Sequence, residues 1–298
     1  GEYYPKHAIL MPTVAEPFFL LLGYDGLLLF NVIMMLLGAG LSLAILSRQG
    51  RPGEAPDGIA VPLVVLLVYL SPAVREHAYS FSNDVFSAAL FLAGLWSLQR
   101  RSPLIGGLLW GATVWTKPVH LLAVGLAGLP FLVGWLRSHD QRALLRSAAG
   151  FLGVVALQMI VNGLWFGSPF VTSYDRILVR SNGALGMASA RDAFNTSYSA
   201  GLDKLLFSHK YGILPGFPLL WLTPLGLLAL AWRRAWWPLV SSLAAITGLL
   251  AVYGRYDYPD ERFAFVFLIF ALVPLVALFE VGEQAVTGAW ATLTARLQ

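Results

Sequence analysis

The sequence predicts an all-α, polytopic membrane protein with about nine transmembrane helices and an interfacial or re-entrant helix near the N-terminus. Three observations carry that expectation. Of the 298 residues, 57% are hydrophobic and only 12% charged, against about 25% charged in a soluble domain. Mean hydropathy is +0.69. Apolar stretches with few breaks recur along the whole chain, and a spanning helix needs about 20 such residues, with roughly 17 the lower end.

In chain order, residues 8–22 (AILMPTVAEPFFLLL) contain two prolines and Glu16. They are too short and too interrupted to span, so they are expected to lie at the interface or to re-enter. The span candidates are 26–46, 59–74, 84–99, 119–136, 147–165, 211–232, 236–253 and 262–279. Residues 103–116 (PLIGGLLWGATVWT) are short and glycine-rich. They complete nine as a helix packed inside protein, because glycine lets helices approach closely. The chain reads as a single transmembrane domain over 1–298, with an uneven number of spans that puts its two ends on opposite sides.

Loop charges orient it. RQGR at 48–51, the arginine pair 100–101, Arg137, Arg142 and Arg146, and the pair 233–234 fall on one side, which the positive-inside rule makes the cytoplasm. The outer side receives the long loop 166–210, where Arg176, Arg180, Arg191, Lys204 and Lys210 alternate with Asp175, Asp192 and Asp203. A loop of that length is usually functional or disordered. Residues 280–298 are expected to form a cytoplasmic tail able to lie on the membrane as an amphipathic helix.

Several classes are disfavoured. Net charge is +4 without a block of like charges, which offers nothing to a nucleic acid, and the absence of cysteine removes disulfides and thiolate metal sites. No nucleotide loop of the GxxxxGK[ST] type, HExxH or GxSxG motif is present. No inverted pair of broken helices points to a secondary transporter. The chain opens at Gly1 without a signal-peptide pattern, so a processed N-terminus or a longer natural chain is expected.

Ionisable residues at membrane depth are functional candidates by default, and four clusters hold them. Lys6 and His7 follow two tyrosines. They read either as an aromatic belt with a snorkelling lysine or as a phosphate contact with a hydrogen-bond donor or metal ligand beside it. In REHAYSFSNDVF, Asn83 or Asp84 reads as the N-cap of a helix, with a divalent ion or a sugar hydroxyl as the alternative use of Glu76, His77 and Asp84. Lys117 precedes Pro118, which suits the first turn of a new helix. The apolar segment before it is short, so Lys117 is expected in a recess where an unpaired ammonium requires an anion, such as a phosphate. Lastly, YGRYDYPDERF places Arg255 and Arg262 among tyrosines and acids on the outer face. It reads as self-neutralising pairs or as a phosphate grip.

The order YYPKH…P…LLG…LLLFN, YSFSNDVFSAALFLAGL, GLLWGATVWTKP, NGLWFGSPFVTSY, LLFSHKYGILPGFPLLWL and ERFAFVFLIFALVPL resembles the bacterial GT-C integral membrane glycosyltransferases. The likeness is to their dolichyl-phosphate-mannose–protein mannosyltransferase-like and aminoarabinose-transferase-like group, and it covers nearly the whole chain. It implies a polyprenyl-phosphate-linked sugar donor bound at the outer face of a bacterial inner (cytoplasmic) membrane. Lys6 and Lys117 would meet the donor phosphate, with Arg262 a weaker match, and His7, Asp84 and Arg255 would be further substrate or metal contacts. A divalent metal ion is the one cofactor expected, and membrane lipids and other membrane subunits are the further partners. The group carries its catalytic carboxylate in a first outer loop after a first spanning helix, and this chain opens beyond both. No catalytic residue is therefore assigned. Transfer is expected if the natural protein holds that carboxylate, with a non-catalytic subunit of a larger membrane complex as the alternative and a lipid or solute transporter the third reading.

Overall fold

The computed structural model describes the chain apart from residues 1–8, 49–57, 176, 182–183, 189–193, 210–211, 257–260 and 298. Side chains are described except also at 174, 177–181, 184–188, 261–262 and 290–297. The first half consists of α1 (Leu10–Leu22), α2 (Tyr24–Leu46), α3 (Ala60–Tyr69), α4 (Pro72–Ala78), α5 (Asn83–Gln99), α6 (Pro103–Thr116), α7 (Leu121–Arg137) and α8 (Gln141–Phe166). A hairpin of β1 (Ile177–Ser181) and β2 (Ala184–Ala188) follows, then α9 (Tyr198–Phe207), α10 (Ile213–Gly216), α11 (Thr223–Trp232), α12 (Trp236–Tyr253) and α13 (Leu268–Leu297). A 3-10 turn, Pro118–His120, leads into α7, and a longer one, Glu261–Phe267, leads into α13.

The protein is an all-α membrane protein, with that hairpin the only strand pair among the described residues. Each of the nine expected stretches contains a helix. Five are long and apolar enough to cross a membrane, Tyr24–Leu46, Pro118–Arg137, Gln141–Phe166, Trp236–Tyr253 and Phe263–Ala289. The pair α3–α4, bent by 58°, makes a sixth if it is one span. The bend has a local cause: Ser71 precedes Pro72 and is held extended (ψ 156°), because a proline disfavours the helical conformation of the residue before it. The stretches 84–99, 103–116 and 211–232 form shorter helices. Nearly every residue of α5 is buried, so its length answers to neighbouring helices rather than to lipid.

Gly23 (φ +61°) turns α1 onto α2, a conformation that suits glycine. A Cβ at Gly26 would stand 1.9 Å from the Phe18 carbonyl oxygen, so the two helices touch backbone to backbone. Met11, Ala15, Phe30 and Phe86 fill the space beside them. Glycine likewise sets the α6–α8 contact, where a Cβ at Gly107 would lie 2.0 Å from the Ser147 oxygen and one at Gly150 2.4 Å from the Leu104 oxygen. The short 103–116 helix is thus packed inside protein through its glycines.

Three helix ends share one chain reversal. After α5 the Ser102 amide bonds to Ser97 O at 2.9 Å, after α7 Asp140 bonds to Trp135 O at 2.9 Å, and after α11 Ala235 bonds to Leu230 O at 2.9 Å. The residues in the left-handed position are Arg101 (φ 60°), His139 (φ 55°) and Arg234 (φ 55°), where glycine is usual. His139→Gly is expected to stabilise the protein by roughly 0.5–1 kcal/mol, the relief of the left-handed conformation less the added freedom of the unfolded chain. A Tm no higher than that of the parent in detergent would contradict this.

The core runs through α5, Glu261–Phe267 and α13, with Phe91, Val266, Leu272 and Leu275 among its most enclosed side chains. Helix α8 packs one face on α6 and leaves the other exposed along almost its whole length. One end of the bundle is marked by the Arg233–Glu280 ion pair and by the Ile59 amide donating to Glu283 Oε1 at 3.1 Å. The other end, beyond the start of α13, holds the charges described next.

Candidate functional site: a buried lysine–aspartate pair

Helix α5 begins at Asn83, preceded by an extended Ser82 (φ −105°, ψ 117°) that makes no side-chain cap. This corrects the expectation that Asn83 or Asp84 is the cap. Both lie in the first turn, and their side chains are engaged elsewhere. Asn83 Nδ2 donates to the Thr116 carbonyl at 3.2 Å, fastening the start of α5 to the end of α6. Asp84 sits where the exposed amides of a helix start favour a carboxylate.

Helix α6 stops at Thr116 because Pro118 follows, and Lys117 is extended (φ −152°, ψ 120°). Its side chain turns inward and pairs with Asp84 Oδ1. Lys117 is 9% exposed and Asp84 3%. The recess anticipated for Lys117 therefore exists, but its first anion is internal. The anion comes from α5 because the Asn83–Thr116 bond brings the first turn of α5 alongside the lysine. The ammonium also lies over the Phe263 ring, 4.9 Å from its centroid. Phe263 in turn stacks on Tyr253, with centroids 4.3 Å apart, and meets Tyr256 edge-on at 5.6 Å.

Behind the lysine, Thr116 Oγ1 donates to Thr113 O at 2.6 Å, and His120 Nδ1 lies 3.3 Å from the same carbonyl and 3.4 Å from Thr116 Oγ1. A carbonyl only accepts, so this contact assigns the His120 proton to Nδ1 and leaves Nε2 as the acceptor. On the far side of α5, Asn31 is fully enclosed and its amide donates to the carbonyls of His77 and Ala78. Among the described residues, the buried oxygens Asn31 Oδ1, Ser82 Oγ and Asn83 Oδ1 near this end have no hydrogen-bond partner.

Of the residues expected in a site, the structure brings Lys117 and Asp84 together. Arg255 is exposed, just past the end of α12 and next in chain to Tyr256. The backbone of Arg262 precedes Phe263 in the 3-10 turn, and its side chain lies outside the described residues, as do Lys6 and His7 entirely. Among the described residues no group of three or more His, Asp or Glu is placed to hold a metal ion. Asp84, the carboxylate expected to contact one, is engaged by Lys117, and His7, the other expected metal contact, lies outside the described residues. His120 stands in the sequence cluster of Lys117 and Pro118, whereas Asn31, Thr116 and Phe263 are the members that sequence reasoning missed. Asn31 carried a usable signal, a lone amide in a long apolar helix.

The model of glycosyltransferase family 87 matches residues 4–253, a stretch that includes both members of the ion pair. No curated protein and no solved structure matches the chain. With five to six apolar spans among the described residues and a family match over most of its length, the chain is a membrane protein that belongs to glycosyltransferase family 87.

Proposed function

We propose that this protein binds a polyprenyl-phosphate-linked sugar at the end of the bundle that carries Lys117, facing the outside of a bacterial inner membrane. The observation that carries the reading is the double role of the turn Glu261–Phe267. Phe263 lies under the Lys117 ammonium. The next residue, Ala264, lines an apolar groove of about 220 Å³ with Leu206, Ile213, Leu249 and Phe267. A cation for a phosphate and a channel for a prenyl chain thus share one short segment. Lysine has three donors, and Asp84 Oδ1 takes one of them. The unpaired acceptors of Asn83 and Ser82 suit hydroxyl donors of a sugar. The arginines of the three helix reversals would then face the cytoplasm.

Binding of a long polyprenyl phosphate and of a water-soluble short-chain prenyl phosphate to the purified protein tests this. Leu214→Trp, from the partly exposed edge of the groove, is expected to weaken the long-chain ligand at least about tenfold, more than 1.4 kcal/mol. The short-chain ligand should be little changed. Equal long-chain affinity in parent and variant would remove the groove from the proposal. The self-neutralised Lys117–Asp84 pair also fits a second reading, a non-catalytic subunit of a larger membrane assembly. In that case neither prenyl phosphate binds.

A further inference from the structure

A second groove lies toward the opposite end of the bundle. It opens between α5, α7, α12 and α13, has a volume of about 380 Å³, and is floored by Leu126, Phe131, Ile269 and Phe270. Two prolines keep it open. Pro130 stands inside α7 and gives no N–H to the Leu126 carbonyl, while Pro238 stands in the first turn of α12. Its polar rim is Gln99, Trp237, Ser241 and Ser242. Gln99 Oε1 is fully buried there and has no hydrogen-bond partner among the described residues, a costly state for an amide oxygen. It calls for a donor from outside the chain.

Cations adjoin that rim along the chain. Arg100 and Arg101 directly follow Gln99, Arg137 ends the helix that carries Pro130, and Arg234 stands three residues before Trp237. All four are exposed. Their neighbour Arg233 pairs with Glu280, and Arg100 lies over the Trp96 ring, 5.1 Å from its centroid.

From the apolar floor, the orphaned acceptor and the exposed arginines next to it in the chain, we infer that this groove is a binding site for one anionic phospholipid with a hydroxyl-bearing head group. An acyl chain lies along Leu126, Phe131 and Phe270, a head-group hydroxyl donates to Gln99 Oε1, and the phosphate faces the arginines. The site is separate from the Lys117 end and does not depend on what binds there.

Lipid-induced stabilisation of the detergent-purified protein tests it with three lipids of identical chains. Phosphatidylglycerol carries charge and hydroxyls, phosphatidylmethanol carries charge without any hydroxyl, and phosphatidylcholine carries neither net charge nor hydroxyls. Phosphatidylglycerol is expected to bind at least tenfold more tightly than phosphatidylcholine. Gln99→Leu is expected to weaken phosphatidylglycerol about fivefold, the loss of one hydrogen bond, and to leave phosphatidylmethanol unchanged. Without lipid the same variant should melt no lower than the parent, because a buried orphan acceptor has been removed. Equal affinity of the parent for phosphatidylglycerol and phosphatidylcholine, or an unchanged phosphatidylglycerol affinity in Gln99→Leu, overturns the site. If Gln99→Leu does not yield folded protein, Ser241→Trp, which fills the groove from a partly exposed position, must abolish the phosphatidylglycerol effect. Its retention would equally overturn the proposal.

Discussion

Lys117→Met alone is expected to lose about 3–5 kcal/mol of stability, the usual cost of removing one partner from a buried pair. The cause is the carboxylate left behind: Asp84 is 3% exposed and would keep its burial while losing the ammonium. The lysine also gives up its position over Phe263, worth about 0.5–2 kcal/mol depending on desolvation. Asp84→Leu should cost a similar amount, since it strands the ammonium instead. The double variant Lys117→Met with Asp84→Leu is expected to recover most of the loss, because well-packed apolar replacements of a buried pair are often neutral. Thermal unfolding followed by tryptophan fluorescence in detergent reads all three. Single variants as stable as the parent, with a strictly additive double variant, would show that the pair is not energetically coupled.

This result bears on function as well as folding. The sequence alone leads one to expect that loss of Lys117 falls mainly on phosphate binding, since its counter-ion cannot be seen there. With Asp84 in place, a single substitution confounds the two effects. The charge-free double variant separates them. If it folds and no longer binds a prenyl phosphate, Lys117 serves the ligand. If it folds and binds unchanged, the pair serves the fold.

The membrane class and the helical stretches could be read from the sequence because spans are defined by long apolar runs. The packing role of 103–116 was legible too, as Gly106, Gly107 and Gly111 sit together in a helix too short to face lipid. The partner of Lys117 was not legible. Asp84 is 33 positions away, and its position before an apolar run imitates a cap. The Schellman turns were hidden because Arg101, His139 and Arg234 occupy positions where glycine would have announced them. The β-hairpin had a local signal: its register pairs Ser181 with Ala184, and the residues between are Asn-Gly, a strong two-residue hairpin signature. In a loop read for its charges, that signal went unused.

Gly107→Val and Gly150→Val are each expected to prevent accumulation of folded protein. An added Cβ at Gly107 meets the Ser147 carbonyl oxygen at 2.0 Å, and one at Gly150 meets the Leu104 oxygen at 2.4 Å. Both obstacles are backbone, so a rotamer change cannot relieve them and the helices must separate. Overpacking that side chains can absorb costs about 1–3 kcal/mol, and this contact has no such relief. Gly153→Ala provides the control on the same helix, since nothing lies within 4 Å of its added Cβ. That variant should be as stable as the parent, or up to about 1 kcal/mol more so from helix propensity. Size-exclusion profiles of the detergent-extracted variants distinguish these outcomes, and a monodisperse Gly107→Val protein with parental Tm would refute the contact. The milder Gly111→Ala, on the same helix as Gly107, adds a Cβ that meets Val154 Cβ at 2.8 Å and the Phe151 oxygen at 2.9 Å, and it links packing to the site. Lys117 caps the helix that Gly107 anchors, while Asp84 belongs to α5, so displacing α6 from α8 shifts one member of the ion pair against the other. Its destabilisation should therefore shrink in the Lys117→Met, Asp84→Leu background, where no charge remains to be misaligned. An equal loss in both backgrounds would mean that the α6–α8 contact supports the fold without tuning the position of Lys117.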